Sequence, residues 1–485
     1  MIHTQWWVQE IGDTSRPVIP VMVAAPSQSP RRASLHRTAK GLIDSGRADS
    51  PETPRRILES LVLQVAAGER LGRDPAAQAA LTTIVNTGHR AFLGGVAVRL
   101  DDDPVLSVGW AAGLRASEAV RRFGGRVTGG LRGDRPTLAV AAPAKPVGKL
   151  ILHPTWSGWA GGVVESAAQL LSDDATTPAA VIAGALGVSE IFQHSLGAAV
   201  PGRRSVGVSL WRPDLPWHTP DAAGEPLQWL PAQLWLLGLG HLGQAYAWTL
   251  GMLPYASPGE VQLGLVDFDR IIGANTATQL LVTGQHVGLR KTRVVAVAAE
   301  GLGFDTAIVE RAFDEHFHPA GNEPAIVLAG FDRPEPRRLL GGNRFRRVVD
   351  AGLGAGHVEY LDMVLHTFPS PEDPADAFPP RPAAARGLAA AYESEINRQV
   401  RAGAEEAAAR CGMLEVAGVT VGAAFVGAAA GALAVADLLR HLHGGNEYSV
   451  ISLDLRTPAE PQAVSNAAPG PYAAPAYTPA LAAGP

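Results

Sequence analysis

The sequence is poorest in cysteine: its 485 residues contain one, Cys411. That excludes an internal disulfide and any structural zinc centre built on cysteines. Lysine is nearly as scarce, with Lys40, Lys145, Lys149 and Lys291 the only ones among 41 basic residues. An excess of one sign of charge is lacking too. The 41 basic and 46 acidic side chains leave a net charge of −5, which gives no case for nucleic acid or an anionic membrane as a partner. The start, Met1-Ile-His-Thr-Gln-Trp-Trp, lacks the basic stretch and apolar run of a secretory signal, and the expected compartment is the cytoplasm. What is present is apolar bulk. With 46% hydrophobic and 18% charged residues a wholly disordered chain is excluded. The length suggests roughly two to three domains.

One run lacks charge altogether. Residues 416–436 are 21 residues long, enough to span a bilayer. They are mostly Ala and Gly and have no partner span, so a buried helix of a sheet protein is expected instead.

Along the chain, residues 1–90 are expected to form an N-terminal extension, with loop at 17–37 and a helix at 55–70. Short strands are expected at 95–100, 137–142 and 149–153, and a linker at 216–230. Residues 233–267 then read strand, Gly-rich turn, helix, strand, which is one βαβ unit and predicts a parallel sheet. Helices at 291–300 and 335–340 and strands at 325–328 and 347–350 continue the pattern. A crossover loop is expected over 369–410, containing a charged helix at 392–410. The Pro/Ala-rich tail at 457–485 is expected to be disordered.

The chain repeats itself. Residues 184–194 read GALGVSEIFQH and residues 431–441 read GALAVADLLRH, and each is followed by a similar strand, at offsets of 247 and 243 residues. A helix and a strand recurring in order at a near-constant offset predict two related domains in tandem. Since the first copy has no Gly-rich turn, the expected organisation is a degenerate half at 91–216 and a nucleotide-binding half at 231–456.

The chemistry gathers in the second half. Gly238-x-Gly240-x-x-Gly243 follows a strand and opens a helix, so a phosphate can approach the backbone where helix amides stabilise negative charge. Asp267, 24 residues after Gly243, ends the next strand, where an acid can accept hydrogen bonds from ribose hydroxyls. To this point a nicotinamide cofactor fits as well as ATP.

The stretch from Leu265 to Gln279, LVDFDRIIGANTATQ, followed by Val287-Gly-Leu-Arg-Lys291 and by Asp332 in AGFDRPEPRR, resembles the ThiF/MoeB superfamily, which includes the ubiquitin-activating enzymes. The fold this resemblance implies is α/β, with tandem Rossmann-like domains of ThiF type, the first degenerate and the second binding ATP. The function it implies is adenylation of the C-terminal carboxylate of a small ubiquitin-like protein, feeding a bacterial conjugation pathway of the kind that often serves antiviral defence. By the same resemblance ATP and Mg2+ are the cofactors, and a carrier (conjugating) enzyme is a further partner. The two halves would pair as a pseudo-dimer within one chain, with further oligomerisation left open. Gly238, Gly240, Gly243, Asp267, Asp269, Asn275, Gln279 and Lys291 would bind the nucleotide, Lys291 as the cation at the phosphates. Asp332 would hold magnesium, and Cys411 would take the acyl group as a thioester or else be an inert buried residue. The family's arginine before the final Gln is Thr278 here, a departure that Arg90, Arg290, Arg293 or Arg333 could compensate. The family's paired cysteines are absent, so no zinc is expected. Alternatives are a sulfur-carrier adenylyltransferase for cofactor synthesis, a catalytically dead partner-binding scaffold and a nicotinamide-dependent oxidoreductase.

Overall fold

The computed structural model describes residues 37–44, 52–169, 175–341, 344–354, 356–380, 421–466 and 477–481. Cys411, the expected charged helix at 392–410 and the crossover beyond residue 380 lie outside them.

Two helices, α1 (Arg37–Asp44) and α2 (Glu52–Ser60), precede the first sheet. Its strands are β1 (Leu63–Ala67), β2 (Val96–Leu100), β3 (Arg126–Val127), β4 (Pro136–Val140), β5 (Leu150–Ser157), β6 (Ala160–Val164) and β7 (Val206–Ser209), in the order β3-β2-β1-β4-β5-β6-β7. The pairs from β3 to β5 are parallel, and β6 and β7 are antiparallel additions. Three helices cover it: α3 (Pro75–Ala91) after β1, α4 (Ala116–Arg122) after β2 and α5 (Thr177–Ser195) between β6 and β7.

After β8 (Trp229–Pro231) a second sheet repeats this plan. Its strands are β9 (Gln233–Leu237), β10 (Gln262–Val266), β11 (Asp305–Val309), β12 (Ile326–Ala329), β13 (Arg347–Leu353), β14 (Asp362–Phe368), β15 (Tyr448–Asp454) and β16 (Gln462–Ser465), in the order β11-β10-β9-β12-β13-β14-β15-β16. Helices α6 (His241–Leu250), α7 (Lys291–Glu300) and α8 (Ala424–Leu442) follow β9, β10 and β14. Among the described residues the strand order of the second half matches that of the first with β16 added, and α6, α7 and α8 stand where α3, α4 and α5 do, while short helical turns at Pro334–Arg337, Gly356–Glu359 and Pro374–Ala377 have no counterpart. A last strand, β17 (Tyr477–Pro479), pairs with β8.

Three expectations need correction. The first sheet begins at Leu63, inside the stretch read as an extension, and the helix expected at 55–70 ends at Ser60 and gives way to β1. The reason is that β1, LQVAA, is buried along its whole length, and short apolar runs of that kind lack the alternation that separates strand from helix. Secondly, the tail expected to be disordered supplies β16 and β17. Both sit at sheet edges, where a Pro-rich sequence can still pair on one side. Thirdly, the linker expected at 216–230 ends in β8, which β17 covers.

The helix duplicated in sequence is duplicated in place. Each copy carries a glycine where it crosses the helix that follows its own first strand. A Cβ on Gly184 would lie 3.0 Å from the Ala80 carbonyl oxygen, and one on Gly431 would lie 2.6 Å from that of Ala245. The polar contacts across the halves are exchanged in the same sense. Gln193 of α5 donates to the Leu455 carbonyl after β15 at 3.0 Å, and Arg440 of α8, at the matching position, donates to the Leu210 carbonyl after β7 at 2.8 Å. That reciprocity is the mark of an isologous contact. Helix α8 takes up residues 424–436 of the charge-free run and continues through Asp437 and Arg440. It is long and apolar enough to cross a membrane by length and composition, yet 94% of its most apolar 18 residues are buried inside the protein.

Candidate functional site

In the second sheet the strand order reverses between β9 and β12, and ligands of open α/β sheets bind outside the carboxyl ends of the strands at such a point. The Gly-rich turn after β9, Asp267 after β10 and Asp332 after β12 all leave the sheet there. Gly238 has φ +80°, which favours glycine. A Cβ on Gly243 would collide with the Gly238 carbonyl oxygen, while nothing stands within 4 Å of one on Gly240. The turn is therefore tight behind and open in front, and α6 starts from Gly240 without a side-chain cap on its amides.

Asp267 braces the turn. Its Oδ2 accepts from the Leu239 amide and its Oδ1 from the Asp269 amide, both at 2.7 Å, and it is 8% exposed. Burial pushes its carboxyl pKa up, against the pull of the Lys291 ammonium and the two amides, and the net shift is upward. Lys291, the first residue of α7, places Nζ 2.6 Å from Asp269 Oδ2 and 3.9 Å from Asp267 Oδ2. Asp269 is exposed, so the ammonium has solvent on its ligand side.

The expected residues thus fall into groups. Gly238, Gly240, Gly243, Asp267, Asp269 and Lys291 come together. Asn275 and Gln279 are buried beside them and engaged within the protein: Asn275 Oδ1 accepts from the Ile272 amide at 2.9 Å, and Gln279 Oε1 from Gln244 at 2.8 Å. Gln244 in turn donates to the Leu239 carbonyl at 3.3 Å, tying this loop to the Gly-rich turn. Asp332 is exposed, two residues past Gly330, whose amide bonds the Leu237 carbonyl at 2.9 Å. Cys411 falls outside the described residues.

Arg90 does cross from the first half, but to backbone. Its guanidinium donates to the carbonyls of Thr276, Leu280 (3.2 Å) and Val282 (3.0 Å), holding the loop that carries Asn275 to Gln279. Burial pushes its pKa down to about 9. Arg290 donates to the Phe268 carbonyl, and Arg293 pairs with Glu310 at 2.8 Å.

The sequence reading missed Arg37. It is half-buried on α1, beside Asp332, whose carboxylate partly offsets the desolvation that lowers the arginine's pKa. Its neighbour Thr38 donates to the Gly422 carbonyl at 3.0 Å, pinning α1 over the site. No local signal marks Arg37, because it ends a Pro/Ser/Arg-rich stretch that reads as loop.

The first half keeps the frame and loses the charges. Asp101 stands after β2 as Asp267 does after β10, but the first residue of α4 is Ala116 where α7 has Lys291.

Comparisons with known proteins agree with this two-part plan. Residues 62–210 match the family described as BilD N-terminal domain, and residues 230–445 match BilD C-terminal domain. The chain is 36% identical over 426 residues to the bacterial E1-like protein BilD of Collimonas sp. (strain OK412), covering 86% of this chain and 91% of that one. Among solved structures it is similar to E. coli MccB, at 16% identity and a TM-score of 0.32, over 50% of this chain and 66% of MccB, just under two thirds of its length. MccB with ATP gives 15% and 0.30 over 48% of this chain and 64% of that one. Likenesses that slight carry no function.

Proposed function

We propose, for a chain that belongs to the BilD family of bacterial E1-like proteins, that its second half adenylates the C-terminal carboxylate of a small ubiquitin-like protein. A carboxylate oxygen attacks the α-phosphorus of ATP, the bond to the bridging oxygen breaks, and pyrophosphate leaves with its electron pair. The product is an acyl-adenylate. The observation that carries the reading is Lys291, held by Asp269 and Asp267 beside a glycine turn with open space in front of Gly240.

Charge grows on the phosphate oxygens during the step, so a cation placed in advance lowers the barrier. Lys291 is that cation, and a compact ammonium suits a point contact with phosphate. It is stored against Asp269 and exchanges that partner for the phosphates. Arg37, facing Asp332, is a second cation within the site. Asp267 keeps the turn in shape. A single exposed carboxylate such as Asp332 suits magnesium, which is bound through one or two carboxylates together with substrate phosphates. When bound, the metal supplies neutralising charge at the phosphates.

Cys411, which follows the expected crossover loop in sequence, would then take the acyl group as a thioester for a carrier enzyme, in the cytoplasm. ATP–pyrophosphate exchange in the presence of candidate small ubiquitin-like proteins from the same genome tests the reading. Exchange that depends on the small protein supports it, and its absence with every such candidate overturns it.

A further inference from the structure

His241 stands inside the Gly238–Gly243 turn, where a histidine invites a role as the cation for a phosphate. Its surroundings argue otherwise. Burial first, then the charges of Arg37 and Arg90, push its pKa down to about 3, against the pull of the Ala423 and Ala424 backbone. The imidazole is therefore neutral at ordinary pH and brings no charge to a ligand. What it contributes is shape.

The ring lies against α8. A Cβ on Gly427 would stand 2.3 Å from His241 Nε2 and 2.5 Å from Cδ2, and the next atom, at 3.3 Å, is Cε1 of the same ring. Outside the backbone of its own helix, nothing but that ring makes position 427 glycine-sized. Nε2 is buried with no hydrogen-bonding partner among the described residues, so the contact is steric. One turn further along α8, Gly431 meets the Ala245 carbonyl of α6. Residues 427 and 431 thus face 241 and 245 in step, at the spacing that puts both on one side of each helix.

The first half supplies the internal comparison. Gly184 faces Ala80 there as Gly431 faces Ala245. One turn earlier the matching positions are Ala180 and Ala76, both buried, so alanine stands on both sides where the second half has glycine and histidine. In the half that keeps the glycine turn, volume has moved from the helix to the turn. The same helix reaches across to the first half, where Arg440 donates to the Leu210 carbonyl at 2.8 Å.

We propose that His241 is a positioning residue for the nucleotide: seated against Gly427, it lets α8, the helix that also grips the first half, hold the phosphate-binding turn in shape. This rests on the nucleotide reading above and goes beyond it, because it makes ATP affinity depend on the size of a residue of α8 that is no part of the turn.

Calorimetric titration of ATP into the full chain, with melting of each unliganded variant, tests this as a double-mutant cycle. Gly427→Ala adds a methyl group against the ring and is expected to weaken ATP binding about fivefold or more, the lower end of what overpacking costs. In a His241→Ala background that methyl has room, so the same change should there alter ATP affinity less than about twofold. His241→Ala alone takes the wall away from the turn and should also weaken ATP, so the outcome does not hang on one folded variant. ATP affinity within about twofold of wild type in both single variants, whatever their melting, would make the pair packing only and overturn the proposal while leaving the adenylation reading standing. A Gly427→Ala loss of the same size with and without the His241 ring would overturn it too. A wild type that binds no ATP overturns both.

Discussion

Lys291 and Asp269 form an ion pair at 2.6 Å, with the lysine buried and the aspartate open to solvent. The pair stores a cation at the mouth of the glycine turn. Lys291→Ala is expected to lower ATP–pyrophosphate exchange by about 100- to 1000-fold, the usual cost of one positioned donor at developing negative charge. Lys291→Arg should rescue little, because a broad planar guanidinium does not fit a niche in which the lysine is 8% exposed. Near-normal exchange in Lys291→Ala would place the chemistry elsewhere.

Asp332→Ala is expected to slow exchange in a way that added magnesium partly relieves, since the phosphates alone still bind the metal weakly. Rates measured across a magnesium titration check this. A loss that is the same at every magnesium concentration would reassign Asp332 to holding Arg37.

The helix crossings should be unequal. Gly431→Ala pushes a methyl group into backbone of α6, with the Ala245 carbonyl oxygen at 2.6 Å and carbon at 2.8 Å, whereas Gly184→Ala meets the Ala80 oxygen at 3.0 Å. Overpacking costs about 1–3 kcal/mol, and the better helix propensity of alanine returns up to about 1 kcal/mol. Gly431→Ala should therefore be destabilising and Gly184→Ala closer to neutral, as read from denaturant midpoints. The reverse order would show that α8 yields more easily than α5.

Acid should loosen the end of α8. Burial opposes ionisation of Glu447, but the hydrogen bond to His441 (2.6 Å) and the Arg347 charge (2.8 Å) hold its carboxyl down to about 2, against an ordinary 4.5. A folded-state pKa below the unfolded value gives stability that is fully present above pH 4.5 and is lost as pH falls toward 2. Glu447→Gln should cost about 2–3 kcal/mol at pH 7 by that linkage. The gap between variant and wild type should narrow below pH 4.5, as measured by chemical denaturation at several pH values. A gap that does not change with pH would mean that shape, and not charge, holds this corner.

Cys411→Ser is expected to leave exchange intact, because adenylation needs no thiol. The wild type should form a reducible adduct with the small protein, seen as a gel shift lost on adding thiol. Exchange without any such adduct would make the protein a pure adenylyltransferase.

Much of the second half was legible because its signals are local. The strand ending at Leu237, the glycine turn, and α7 starting at Lys291 each carry their own punctuation. The repeat was legible from α5 and α8, whose crossing glycines keep the same spacing from an acid, Glu190 or Asp437. What stayed hidden depends on tertiary context. β1 reads as helix because burial on both faces erases its alternation. Arg37 reads as loop because only the fold carries α1 to Asp332. Arg90 was one of four arginines that could stand in at the phosphates, and no sequence pattern could show that the carbonyls of residues 276–282 take its donors.

Both α5 and α8 lie on one polypeptide, and each hands a side chain to the other half. Two separate subunits meeting through such a surface would fall apart on dilution, and their activity would track protein concentration. Here the partner is tethered, so pairing is a first-order event whose extent does not depend on how much protein the cell makes. An enzyme built this way can be expressed at a few copies per cell and keep its shared interface intact.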